Sequence, residues 1–251
     1  MMIENFTLKL ADRIIKTHTR YPYCMKQCRD YLTEGVCADI IAETTNEAIE
    51  EMRGEKEGLS CGYAEHLCIY RSIAEQFPFH NRMVFHGAVI SFRGNGYLFT
   101  APSGTGKTTH ISLWKKYLGE DVVIINGDKP VLSVEKTGTG SVQATAWGTP
   151  WAGKENWQKN SSVPLKGICF LEQSKENRIF RLRPEACILR LMKQVYLPSD
   201  EKAAGCTLEL LDKMISTVPL YLLKCDISEE AVRVSFEALT GLGFNRIYDK
   251  I

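Results

Sequence analysis

The sequence predicts an α/β fold with a smaller α+β lobe ahead of it, and three observations carry that expectation. An apolar strand over 97–100 runs directly into the stretch Ala101-Pro102-Ser103-Gly104-Thr105-Gly106-Lys107-Thr108-Thr109. A helix with apolar positions Ile111, Leu113, Trp114 and Leu118 follows it. A second short apolar run, 122–125, then ends at Asn126-Gly127-Asp128. Alternating strand, helix and strand of this kind marks a sheet with helices packed on it.

In the lobe, residues 1–81, Phe6, Leu8 and Leu10 share one face of an expected strand over 6–15. Val36, Ala38, Ile40 and Ala42 do the same for a strand over 36–44. Thr45 or Asn46 can cap a helix through Met52, with Glu47, Glu50 and Glu51 favourable in its first turns. Residues 53–60 read as a loop, and Leu67, Tyr70, Ile73, Ala74 and Phe77 predict a helix over 63–77 that Pro78 ends.

The main domain, residues 82–251, opens with an expected strand over 83–92, a turn at Arg93-Gly94-Asn95-Gly96 and the strand over 97–100, together a hairpin. Beyond Asp128, strands are expected over 131–134 and 141–146, then a loop over 147–160 rich in Gly, Pro and Trp. Further strands are expected over 167–172, 179–182 and 220–223. Helices are expected from Pro184 through Tyr196, over 208–216, and over 228–239 with Ser228 as cap.

The glycine-rich stretch has the composition of a phosphate-binding loop. Such a loop must aim several backbone N–H groups at anionic oxygens, which glycine's dihedral freedom permits. The following helix adds its unpaired N–H groups and the positive end of its dipole. Ser103, Gly104, Thr105, Gly106, Lys107, Thr108 and Thr109 are therefore the expected contacts to the phosphates of ATP. Lys107 supplies a positive charge, and the Thr108 hydroxyl is an expected Mg2+ ligand. Ala101 stands where the strict pattern has glycine. Asp128, at the end of the next strand, is expected either to hold Mg2+ or to act as a base. The competing reading makes it a turn residue before Pro130.

His86-Gly87-Ala88-Val89, the hairpin, Gly104-Thr105-Gly106-Lys107-Thr108, the helix and Asn126-Gly127-Asp128 together resemble HPr kinase/phosphorylase and, more distantly, ATP-dependent phosphoenolpyruvate carboxykinase. The likeness spans 83–196. It is closer to the HPr-kinase-like proteins of bacterial peptide-modification gene clusters, which similarly carry a Gly-Thr-Pro-Trp segment, here Gly148-Thr149-Pro150-Trp151, before Gly153-Lys154. The resemblance implies a mixed sheet and a kinase-like reaction on a hydroxyl acceptor, a serine of a peptide or protein or a small molecule. The two adjacent aspartates of the bifunctional enzymes correspond here to Gly127-Asp128, so reverse phosphorylase activity is not expected; the chain has no clear match to the C-terminal signature of the true HPr kinases, so HPr is not the expected substrate.

His86 matches a strand histidine beside the transferred phosphate, as proton carrier or hydrogen-bond donor; the alternative is a histidine satisfied by backbone. Trp151 and Lys154 are expected to contact substrate or form a lid, against the alternative of a packed loop anchored by tryptophan. Arg178, Arg181 and Arg183 could meet an anionic acceptor or simply form a solvated face. Two further functions stay open, a carboxykinase-like lyase and a nucleotide-binding regulatory module without catalysis.

Composition bounds the partners. Of 251 residues, 31 are basic and 30 acidic, so a net charge of +1 gives no global pull toward nucleic acid or a membrane surface. Residues 1–10 contain Glu4 and no apolar stretch of the signal-peptide kind. The nine cysteines include no CxxC; Cys24 and Cys28 are the closest pair, and reduced thiols of a cytoplasmic protein are expected. Cys61 and Cys68 are expected to pack on one helix.

Overall fold

The computed structural model describes residues 4–35, 37–55 and 58–244. They form two compact units, Met1–His80 with Leu197–Thr207, and Asn81–Tyr196 with Leu208–Ile251.

The first unit runs β1 (Glu4–Leu10), β2 (Arg13–Thr19), α1 (Pro22–Gln27), a 3-10 turn Arg29–Tyr31, β3 (Ile40–Ala42), α2 (Asn46–Glu55) and α3 (Cys61–Gln76). Its sheet has the order β1-β2-β3, the first pair antiparallel and the second parallel. The single strand expected over 6–15 is instead a hairpin. Ala11 and Asp12 both take positive φ, 50° and 58°, the conformation of a two-residue hairpin turn, without the glycine that usually announces one. The strand expected over 36–44 is reduced to β3, and Val36 lies outside the described residues. Helix α2 runs on through Arg53 into the expected loop, of which Lys56 and Glu57 lie outside the described residues. Ser60 caps α3 by accepting from the Tyr63 N–H at 3.3 Å.

The second unit continues with β4 (Arg82–Val84), β5 (Ala88–Phe92), β6 (Asn95–Thr100), α4 (Lys107–Leu118), β7 (Val122–Asn126), β8 (Val131–Lys136), β9 (Val142–Trp147), β10 (Ser162–Gln173), β11 (Arg178–Leu182) and α5 (Ile188–Met192). Helix α6 (Glu201–Thr217) begins in the first unit and ends in the second; β12 (Leu220–Cys225) and α7 (Glu229–Thr240) follow. Among the described residues the unit holds one nine-stranded sheet in the order β4-β8-β9-β10-β6-β5-β7, with β12 on β10 and β11 on β12. β10 is parallel to β6 and β12, and the remaining pairs are antiparallel, so the sheet is mixed as the resemblance implied. Its long strand β10 gives its first residues to β9 and its later ones to β6 and β12, which curls the sheet.

Two expectations change here. The strand over 83–92 breaks at Phe85-His86-Gly87, because β4 pairs with β8 while β5 pairs with β6 and β7. His86 therefore sits in the break and not on a strand. The helix expected from Pro184 through Tyr196 is a 3-10 turn, Pro184–Ala186, and the five-residue α5.

Strand alternation divides the core. Ala88, Ile90 and Phe92 of β5, with Tyr97 and Phe99 of β6, face Ile111 and Trp114 of α4 and Val232 and Phe236 of α7. Val89, Leu98, Ile168 and Phe170 point the other way, toward Leu191 of α5 and Leu210 and Met214 of α6. Both faces are thus covered, and no described helix is long and apolar enough to cross a membrane.

Trp114 lies fully buried, its indole N–H donating to Ser235 Oγ at 3.0 Å and to His110 Nε2 at 3.2 Å. Burial pushes the His110 pKa down to about 3. The unfolded chain takes up a proton near the ordinary value of about 6.5 and the folded one does not, so stability falls as pH drops below that value and keeps falling to about 3. Between neutral pH and pH 5 this one group is expected to cost about 2 kcal/mol. Urea unfolding of the wild type and His110→Gln at both pH values checks it, the variant losing that much less; equal pH dependence would refute it.

Candidate functional site

Topology gathers three segments at one sheet edge. β6 and β7 each run antiparallel to β5, so both end where β5 begins; the register pairs Ala88 with Phe99 and Val89 with Asn126. The turn after β6, the corner after β7 and His86-Gly87 before β5 consequently meet. The Gly87 N–H donates to the Asp128 carbonyl at 2.8 Å, and the Thr100 hydroxyl to the His86 carbonyl at 2.8 Å. β10, parallel to β6, delivers Gln173 to the same edge, where its amide donates to the Thr105 carbonyl at 3.2 Å.

The turn between β6 and α4 depends on two glycines in the left-handed region, Gly104 at φ +80° and Gly106 at φ +112°. A Cβ at either would meet nothing within 4 Å, so dihedral angle and not crowding requires glycine there. Gly106 is the N-cap of α4 and makes no side-chain cap bond, and the first turn of the helix carries no acidic residue. Its N–H groups are left for another acceptor. Lys107 folds back under the turn. Its ammonium donates to the Ala101 carbonyl at 2.9 Å and the Pro102 carbonyl at 3.4 Å, and the residue is 7% exposed. Burial pushes its pKa down, while the Asp128 carboxylate pulls it up. Ser103 is exposed, Thr105, Thr108 and Thr109 are half-buried, and among the described residues the Thr108 hydroxyl makes no hydrogen bond.

The corner after β7 is organised by Asn126, which is fully buried. Its Oδ1 accepts from the Asp128 N–H at 2.9 Å and the Lys129 N–H at 2.8 Å, and its Nδ2 donates to the Thr149 carbonyl at 3.0 Å and hydroxyl at 3.1 Å. The Thr149 hydroxyl donates in turn to the Lys129 carbonyl at 2.7 Å. This corner presents Asp128, whose Oδ2 lies 2.7 Å from the Lys129 ammonium and whose Oδ1 lies 3.4 Å from His86 Nε2. His86 Nδ1 is 2.9 Å from Gln194 Oε1. Burial alone would raise the Asp128 pKa. The hydrogen bonds from His86 and Lys129 and the lysine's charge outweigh it and hold the carboxyl well below its usual range.

On the other side of the glycine turn lies a cavity of about 710 Å³. Gly104, Thr105, Gly106 and Thr109 form one wall, and Leu113 and Leu171 are among its apolar lining. Arg190, paired with Glu172 at 2.8 Å, borders a second hollow against Pro102–Thr105.

Of the expected site residues, the structure brings Lys107, Asp128 and His86 together around the turn. Trp151 is 7% exposed and acts as an anchor, its carbonyl accepting from the Lys129 N–H at 3.1 Å. Lys154 is exposed on the same loop, beyond Gly153, whose missing Cβ faces Asp128 Cβ at 3.3 Å. Arg181 and Arg183 border a hollow with Thr217 and Leu220 at the opposite end of the sheet, and Arg178 pairs with Glu176 at 3.0 Å. Sequence reasoning missed Lys129, next to Asp128, and Gln194, which lies 108 positions from His86. It also missed Asn126 and Thr149, although the Asn-Gly-Asp and Gly-Thr-Pro-Trp segments were in view.

The Gly-Thr-Pro-Trp segment needs its glycine for space. A Cβ on Gly148 would lie 2.0 Å from the Lys159 carbonyl oxygen and 2.7 Å from that of Ile125, and the Lys159 N–H is itself bonded to the Ile125 carbonyl at 3.0 Å. Neither oxygen can give way without breaking the loop's hold on β7. Gly148→Ala is expected to destabilise the protein by about 3 kcal/mol in urea unfolding. Gly138→Ala, with nothing within 4 Å, serves as a near-neutral control.

A family model described as SynChlorMet cassette protein ScmC matches residues 64–232. No curated protein matches the chain. Among solved structures, the Hpr(Ser) kinase/phosphatase from Coxiella burnetii is similar, at 11% identity and a TM-score of 0.35, over 67% of this chain and 99% of that one. The family match extends over more than half of the 251 residues: the chain belongs to the family of the SynChlorMet cassette protein ScmC.

Proposed function

We propose that this protein is an ATP-dependent kinase that transfers the γ-phosphoryl group to a hydroxyl acceptor, a serine of a peptide or protein or a small molecule. The observation that carries this reading is the meeting of an uncapped helix N-terminus, the Lys107 ammonium and the Asp128 carboxylate around one glycine turn. The first two suit a triphosphate: backbone N–H groups for its oxygens and a cation that exchanges two carbonyls for phosphate. The cavity beside Gly104–Gly106 offers room for the nucleoside.

The donors near the turn fit magnesium, a hard cation that takes oxygen ligands. Thr108 contributes a hydroxyl without a hydrogen bond among the described residues, and Asp128 a carboxylate already facing a cation, Lys129, at 2.7 Å. These two residues would hold Mg2+, which when bound neutralises charge on the β- and γ-phosphates. A carboxyl held far below its usual range is a weak proton acceptor, which favours cation holding over base chemistry for Asp128. His86, with Nδ1 facing Gln194 Oε1 and Nε2 facing the Asp128 carboxylate, has an acceptor at each nitrogen, which favours the role of hydrogen-bond donor beside the transferred group over that of proton acceptor.

A second reading, a nucleotide-binding module without transfer, draws on Gly127. A Cβ there would lie 2.8 Å from the Ala152 carbonyl, so the corner houses no second carboxylate ahead of Asp128. Calorimetry with ATP and Mg2+, followed by incubation with γ-labelled ATP and candidate hydroxyl acceptors, separates the two. The kinase reading expects heat and label transfer. Heat without transfer supports the second reading, and no heat with ATP removes both.

A further inference from the structure

A second cluster of chemistry-bearing side chains lies in the first unit and plays no part in the proposed kinase site. Helix α1 has only six residues and no side-chain cap, too little to be stable by itself. Cys24 and Cys28, one helical turn apart, both point inward from it and its C-cap, toward His66 on α3. The two cysteines are 0% exposed and His66 is 4% exposed. The ligand atoms Sγ, Sγ and imidazole N all lie within 4.8 Å of one another, and His66 Nδ1 is 3.4 Å from Cys24 Sγ.

Those distances suit a metal. Zn–S bonds of about 2.3 Å and Zn–N bonds of about 2.0–2.1 Å in tetrahedral geometry put S and N about 3.6 Å apart and the two sulfurs about 3.8 Å apart. Three ligand atoms form one face of such a tetrahedron. Three residues past Cys28, its N–H donating to the Cys28 carbonyl at 2.8 Å, is Tyr31, 1% exposed, its hydroxyl buried with no hydrogen-bond partner among the described residues.

We propose that Cys24, Cys28 and His66 bind one Zn2+ ion that ties α1 to α3, with the fourth position taken by the Tyr31 hydroxyl or a water it holds. Charge favours this ion. Two thiolates and a neutral imidazole around Zn2+ sum to zero, which a buried site tolerates, whereas the same set around Cu+ would bury a net negative charge. Binding releases two protons to solvent, one from each thiol, and the imidazole coordinates through Nδ1 while its other nitrogen keeps the ring proton.

The test uses the full chain, stripped with chelator under reductant and titrated with Zn2+ alone. One zinc per chain by mass spectrometry of metals is expected, with two protons released per ion in weakly buffered solution. Co2+ in place of Zn2+ is expected to give thiolate-to-cobalt charge-transfer absorption. Cys28→Ser and His66→Ala are expected to lose stoichiometric uptake, while Cys37→Ser combined with Cys206→Ser keeps it, since neither of those thiols belongs to the cluster. Should the cluster variants fail to fold, the cobalt spectrum of the wild type decides. A stripped wild type that takes up no zinc, a cobalt complex without thiolate bands, or uptake unchanged in Cys28→Ser would each overturn the assignment.

Discussion

Lys107→Met is expected to reduce phosphoryl transfer by about 1000-fold while leaving the fold intact. The proposed chemistry needs little covalent help from the protein; it needs charge placed where the transferred group becomes more negative, and loss of one such donor typically costs about 100- to 1000-fold. Lys107 is the cation rooted in the turn itself, on the first residue of α4. Its stem is buried, and among the described residues its ammonium donates to two carbonyl oxygens, at 2.9 Å and 3.4 Å. Methionine keeps the stem's packing and removes a charge that burial already disfavours, so the urea midpoint should hold or rise. Label transfer, ATP calorimetry and urea unfolding together check this. Transfer at the wild-type rate would show that the turn is not the phosphate site.

Asp128→Asn is expected to cut transfer by about 100-fold or more. Its magnesium dependence identifies the role. If the carboxylate holds the cation, raising Mg2+ recovers part of the rate. If it accepts the proton, added Mg2+ recovers nothing, and the fall in rate toward low pH disappears. The same variant has a signature in stability. Because the folded carboxyl lies well below its usual range, the wild type draws stability from it above that range and loses it as pH falls through and below it. The asparagine variant should lack that part of the acid response.

What the sequence could reveal here depended on how local the chemistry was. The turn between β6 and α4 is written in nine consecutive residues, and the strand before it and helix after it lie where periodicity expects them. The break at His86 was hidden because residues 83–92 are apolar enough to read as one strand; only the different partners of β4 and β5 divide it. The hairpin at Ala11-Asp12 was hidden because its residues adopt positive φ without glycine. Contacts such as His86 with Gln194, or Cys24 with His66 across 42 positions, belong to no short pattern at all. They exist only once the chain has folded, and the Cys24–Cys28 spacing, lacking a repeated partner, gave no hint of the histidine.

The strand β10 has a mechanical consequence. At one end it begins at Ser162, opposite Trp147, where the loop that clamps Asp128 departs; at the other it finishes at Gln173, which props the carbonyl of Thr105. Twelve residues of extended backbone give a contour of roughly 36–40 Å, and the register shift between Leu165 and Gly167 bends it. The two supports of the proposed site are therefore joined by a single run of backbone that bends at that shift. A change that straightens or sharpens that bend moves both supports at once.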